Sequence, residues 1–381
     1  MNFDKIIDRS NKGSLKWEKY AGQDILPMWV ADMDFPAAQA ISNVIKEEAD
    51  HGIYGYAIPT MELRQTIVDR LAYTYNWRIR KDDIVFLPGV VCALNLACRA
   101  TGEPGDEVLT TTPIYPPFMS APGFSDRVAR GIKLKETDQR WEMDFEAIEE
   151  AINEKSSLFL LCNPHNPVGR VYSKEELQQL ADLCLKNDIT ICSDEIHCDL
   201  VLDKDLTHYP MASLSDEIAQ NTITLMAPSK TFNLPGLACS FAVIQNPALR
   251  LKFQKKMRGI VPDVNSMGLL ACQAAYDKGE EWRLDLIDYL KENSQVIDNF
   301  LAENCPQIKM APAEATYLAW LDVSALGLDK PAQHFENHGI GLSDGKAFGL
   351  EGYLRLNFAC PRSILMDGLE RFLNAVEAVK R

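Results

Sequence analysis

The sequence predicts an α/β protein: a large domain built on a mostly parallel sheet covered by helices, with a smaller α+β domain attached. Three observations carry this expectation. Between about residues 84 and 245, short apolar runs alternate with amphipathic stretches. Beyond about residue 285 the pattern changes to long amphipathic helices and strand-like pieces. The length, 381 residues, exceeds what one compact core usually holds.

Residues 1–45 include "DILPMWVADMDFP", whose mixed aromatic and turn composition has no place in a parallel sheet, so they are assigned as an N-terminal arm running to the small domain. The large domain then covers 46–284 and the small C-terminal domain 285–381. "IVFLPG" reads as a strand and "VVCALNLACRAT" as the helix that follows it; "EVLTTTP" and "SLFLLCNP" are further strands. "SKEELQQLADLCLKND" is a helix with Ser173 as N-cap and Glu176, three residues on, closing a capping box. "ITICSDE" and "NTITLMAPSK" are the next two strands, and "ATYLAWLDV" and "GYLRLNFACP" are strand-like pieces of the smaller domain.

Composition narrows the partners. A formal charge of −15 provides no basic footprint for nucleic acid or an anionic membrane surface. The N-terminus carries charges where a signal peptide would be apolar, and no run of eighteen apolar residues follows, so a cytoplasmic protein acting on small molecules is expected. The ten cysteines form no CxxC pair and mostly sit in apolar runs, as reduced small hydrophobes do. With no HExxH among six histidines, a metal site is not expected. There is no GxGxxG and no GxxxxGK[ST], which argues against dinucleotide and P-loop chemistry.

In open α/β sheets the ligand sits beyond the carboxyl ends of the strands, and here those ends are polar: "LPG", "TTPIY", "CNPHNP", "SDEIH" and "PSKTFN". Lys230 follows an apolar strand directly. At the edge of a low-dielectric pocket a lysine loses its proton readily, and a neutral amine can bond an aldehyde cofactor as a Schiff base. Pyridoxal phosphate is such an aldehyde. Its ring nitrogen needs a carboxylate to stay protonated, for which Asp194 is the candidate. Glu195, adjacent on a strand, faces the other way and is structural. Gly89 stands at a strand-to-helix turn, where the amides of Val90 and Val91 at the helix N-terminus can meet a phosphate. Tyr115 supplies an aromatic face for the ring, Asn166 a donor to the ring oxygen, and Ser229, next to the lysine, joins the cofactor set.

With these pieces in place the sequence resembles the fold type I pyridoxal-phosphate enzymes, the aspartate aminotransferase-like fold of PLP-dependent transferases. Within them "VADMDFP", "GIYGYAIP", "LLCNPHNPVGRV", "SDEIHCDLV", "APSKTFNLPGL" and "LRLNFACPRS" look like the MalY/PatB-type cystathionine β-lyases, also called C–S lyases. The resemblance runs from the first residues to about 365. It implies that Lys230 holds the cofactor, Asp194 pairs with its ring nitrogen, and His197 lies with Asn166 near the ring oxygen. It further implies that Arg355 grips the substrate carboxylate, a bidentate task suited to a guanidinium. Tyr56 would reach the phosphate of a neighbouring subunit, which makes a homodimer with composite sites.

His197 stands where ordinary aminotransferases of this fold have a tyrosine, and "NLPGLACSF" lacks the arginine those enzymes place on phosphate. The activity expected is therefore β-elimination from cystathionine or a related cysteine derivative, giving a thiol, pyruvate and ammonia. Transamination is the first alternative and a regulatory protein-binding role on the same fold the second.

Overall fold

The computed structural model describes residues 1–137 and 140–379. Its centre is a seven-stranded sheet in the spatial order Ile84–Leu87, Ser240–Val243, Thr222–Met226, Thr190–Asp194, Ser156–Cys162, Glu107–Thr112, Val128–Lys133. Four of the six pairings are parallel. Ser240–Val243 runs antiparallel to both its neighbours. The chain reaches it from Met226 through residues 227–239, which hold a turn and one 3₁₀ segment, Pro235–Leu237, and no crossover helix. A return of that kind suits an antiparallel neighbour. Four of the five strands read from sequence are joined by parallel pairing, and the fifth, Ile84–Leu87, pairs with Ser240–Val243 alone. Two were not read: Ser240–Val243, and Val128–Lys133, an edge strand too exposed to carry an apolar run.

Alternation along the strands divides the large core in two. Leu158, Leu160 and Cys162 point to the side of helix Val90–Ala100, while Phe159 and Leu161 point to the side of helix Lys174–Lys186. The second of these helices has the capping box its sequence announces: Ser173 Oγ accepts from Glu176 N at 3.2 Å, and Glu176 Oε2 accepts from Ser173 N at 2.8 Å.

A second, four-stranded antiparallel sheet holds Lys309–Met310, Leu318–Asp322, Tyr353–Asn357 and Ser343–Asp344. Helices Glu280–Asn304 and Arg362–Ala378 share its core through Leu290, Ile297, Leu365 and Phe372. The N-terminal segment joins this unit, with Leu26–Pro27 pairing in parallel with Ile340–Gly341 and Met28, Met33 and Phe35 buried in the same cluster. No helix among the described residues is long and apolar enough to cross a membrane.

Candidate active site

The carboxyl ends of the parallel strands open on a cavity of about 230 Å³. Asp194 is the last residue of its strand and shares the strand face of Cys192, which puts it on the side of helix Val90–Ala100. It is 5 % exposed, and its carboxylate's one hydrogen bond among the described residues comes from Ile196 N at 3.1 Å. Burial pushes its carboxyl up to about 7. Ser193 and Glu195 face the other way. Glu195 accepts from Ser193 Oγ, Met211 N and His208 Nε2, each at 2.9 Å, and serves structure there. Asp199 also turns elsewhere, paired with Arg70 at 2.9 Å and Tyr75 at 2.6 Å.

Lys230 lines the same cavity. It sits in a tight turn after its strand, in which Phe232 N donates to Pro228 O and Leu234 N to Ser229 O, both at 2.9 Å. The turn directs Nζ to Ala31 O, 2.7 Å away. Lys230 is partly exposed, to the cavity itself, yet surrounded densely enough that burial, with the charge of Arg355 second, pulls its ammonium down to about 8.

Arg355 comes from the other sheet and is 5 % exposed. Its Nη1 donates to Asn166 Oδ1 at 2.9 Å and its Nη2 to Trp29 O at 3.0 Å, while Nε has no partner. Among the described residues it forms no ion pair with a carboxylate, and burial lowers its guanidinium to about 10. A solvated surface ion pair is thereby excluded. Asn166, with its oxygen committed to Arg355, keeps its Nδ2 without a partner among the described residues.

His197 is buried with Nδ1 unpartnered, and burial, then the charges of Lys230 and Arg355, drives its imidazolium down to about 3. It is neutral at any ordinary pH. Its ring meets Tyr317 edge-on at 6.1 Å. Tyr115 and Ser229 line the cavity. Gly89 is the N-cap of helix Val90–Ala100 and offers no side-chain cap, so the first amides, of Val90 and Val91, face the cavity mouth without one. A Cβ added at Gly89 would meet no atom within 4 Å.

Ten of the eleven residues singled out from sequence thus share one cavity. The eleventh, Tyr56, does not line it: fully exposed, it lies in a surface run with Ile53, Tyr54 and Ile58, each more than 60 % exposed. Sequence reasoning missed Val30 and Ala31, which cross the cavity, and Tyr317, whose hydroxyl donates to Ala31 O at 3.1 Å. The signal was present in "VADMDFP", a conspicuous turn-forming stretch, but nothing local says that its carbonyls face a lysine 199 positions away.

His165 of "CNPHNP" serves the loop. Pro113 O, 2.8 Å from Nε2, can only accept, so Nε2 carries the proton and Nδ1 accepts from Tyr172 O–H at 2.9 Å.

Known proteins resemble this chain along nearly its whole length. Cystathionine beta-lyase PatB of Bacillus subtilis is 41% identical over 99% of this chain and 100% of its own length. The crystal structure of OvoB superimposes with a TM-score of 0.96 at 42% identity, covering 99% of each chain. Cystalysin from Treponema denticola, whose crystal structure contains a pyridoxal 5'-phosphate cofactor, superimposes at 0.95 with 34% identity and the same coverage. The profile of the family described as Aminotransferase class I and II matches residues 24–372, nearly the whole of the chain, which therefore belongs to that family.

Proposed function

We propose that the chain is a pyridoxal-phosphate-dependent C–S lyase that cleaves the Cβ–S bond of a cysteine-type amino acid such as cystathionine, releasing a thiol, pyruvate and ammonia. One observation carries the reading. Asp194 is a buried carboxylate with no cationic partner at hydrogen-bond distance among the described residues, and it lines the same cavity as a lysine whose ammonium is lowered to about 8.

The groups left without partners fit the cofactor. Asp194 would meet the ring nitrogen, Tyr115 a ring face, and Asn166 Nδ2, which has no partner among the described residues, with His197, whose Nδ1 is unpartnered there, the ring oxygen. The amides of Val90 and Val91 at the glycine-opened helix start, with Ser229, would meet the phosphate. Lys230 would hold the aldehyde. When bound, this cofactor supplies an electron sink for the pair released at the substrate Cα.

The remaining work falls to the chain. Arg355, buried and paired with no carboxylate among the described residues, binds the substrate carboxylate and so fixes which Cα bond faces the lysine. Lys230, whose ammonium burial and Arg355 make easier to deprotonate, takes the Cα proton on Nζ as the free amine. Asp194 stays ionised against the positive ring nitrogen. The sulfur substituent then departs from Cβ, the proton carried on Lys230 Nζ making it the thiol, and the released aminoacrylate adds water to give pyruvate and ammonia.

We also infer a homodimer in which Tyr56 of a second copy reaches the phosphate end of the site. The exposed run Ile53, Tyr54, Tyr56, Ile58 supports it, since apolar surface of this extent on one loop marks an interface. A cytoplasmic location belongs to the same reading and is supported by nine buried thiols, kept as small hydrophobes by a reducing compartment.

The test has two parts. Purified protein should be yellow, the band bleaching with borohydride, and Lys230→Ala should lack it. Cystathionine should then yield pyruvate and thiol with no added keto acid. Turnover that needs a keto acid and releases no thiol would instead make the chain a transaminase, which its family description admits.

A further inference from the structure

The strap formed by residues 28–35 crosses the cavity, and nearly every carbonyl along it is occupied. Asn357 N donates to Met28 O at 2.9 Å; Ser343 Oγ and Arg355 Nη2 donate to Trp29 O at 2.8 and 3.0 Å. Asn357 Nδ2 reaches both Val30 O and Asp32 O at 2.6 Å. All of these donors belong to the four-stranded sheet. Arg9, which binds Asp32, Asp34 and Met33 O, belongs to the same N-terminal segment and moves with it.

Towards the lysine turn the hydrogen bonds among the described residues are of two kinds. One is the Lys230 bond to Ala31 O. The others all come from Asn233, three residues on: Nδ2 donates to Met33 O at 2.9 Å and Phe35 O at 2.8 Å, and Oδ1 accepts from Met33 N at 3.0 Å. Asn233 has φ +58°, a left-handed conformation that asparagine tolerates better than most residues, and this turns its amide onto the strap. The Lys230 bond cannot persist when Nζ is engaged in chemistry. The Asn233 bonds can.

We infer that Asn233 is a positioning residue that pins the strap to the lysine turn throughout turnover, so that Ala31 O stays within reach as the docking point of the free Lys230 amine. The inference rests on the lyase reading above for its catalytic consequence, but the pin itself belongs to the polypeptide. Without it, the strap would lose its lasting hydrogen bonds to the lysine turn, and the reach from Lys230 to Ala31 O would rest on apolar packing and on the Tyr317 bond to the same carbonyl.

The test uses Asn233→Gly, which keeps the left-handed backbone and removes the amide, and Asn233→Asp, which keeps the acceptor for Met33 N and loses both donors. In cofactor-free protein, amide hydrogen exchange in peptides spanning 29–36 should quicken at least about tenfold in Asn233→Gly and by less in Asn233→Asp, with strand 156–162 unchanged. In loaded enzyme kcat for thiol release should fall about tenfold while KM stays within about twofold, because Arg355 keeps its own contacts. Exchange within about twofold of wild type in both variants would overturn the inference, as would faster exchange with kcat unchanged. If the wild type itself releases no thiol, the lyase reading fails, and the exchange measurement still decides whether the pin exists.

Discussion

Asp194 should destabilise the cofactor-free protein, and Asp194→Asn should relieve it. The carboxyl moves from an ordinary 3.8 to about 7, with burial the first cause. Below about pH 4 it is protonated in both the folded and unfolded states and contributes nothing. Between about pH 4 and 7 the unfolded chain has released this proton while the folded chain retains it, so stability falls as pH rises. Above about pH 7 the whole penalty is present: at about 1.4 kcal/mol per factor of ten in proton affinity, it reaches about 4 kcal/mol. Asparagine keeps an oxygen for the Ile196 N–H and carries no charge, but it also removes a negative neighbour of Lys230. We therefore expect a gain of about 2–4 kcal/mol at pH 8, or about 3 °C in Tm for a chain of this length. Thermal unfolding of stripped wild type and variant from pH 5 to 8.5 measures it. The difference should widen up to about pH 7 and then level off, and should reverse in sign once cofactor is loaded and its ring nitrogen gives the carboxylate a partner. A variant less stable than wild type in stripped protein at pH 8, or a gap that ignores pH, would refute the reasoning.

Two other perturbations are informative. Arg355→Met should raise KM about tenfold to a hundredfold in steady-state thiol release, with a smaller change in kcat, because a guanidinium that holds no protein carboxylate is free for the substrate's. Asp34→Ala removes the nearer carboxylate from Lys16, 2.6 Å away and 1 % exposed, and leaves this buried ammonium only Asp32 at 4.0 Å; chemical denaturation should show a loss of about 3 kcal/mol.

Several parts of the site were legible because they are local. Each of the five strands read from sequence announces itself by an apolar run and ends in residues that cannot join it, and Gly89, Asn166, Asp194 and Lys230 all sit at or just beyond such ends. The opposed roles of Asp194 and Glu195 follow from strand alternation alone, and Ser173 with Glu176 forms the box its spacing implies. Other parts had no local signature. "SFAV" becomes the antiparallel strand because of its neighbours, and "VARGIK" is held at an exposed edge by backbone pairing with Glu107–Thr112.

What the sequence determined by itself was the inventory: an amine, a carboxylate, a guanidinium and an uncapped helix start, delivered in order by an alternating chain. Tertiary structure decided which of them lack partners. Arg355 meets Asn166 across 189 positions, and Lys230 meets Ala31 across 199. The environments that lower the amine and raise the carboxyl are made by those distant encounters, since desolvation depends on everything packed around a group and not on the residues beside it in the chain.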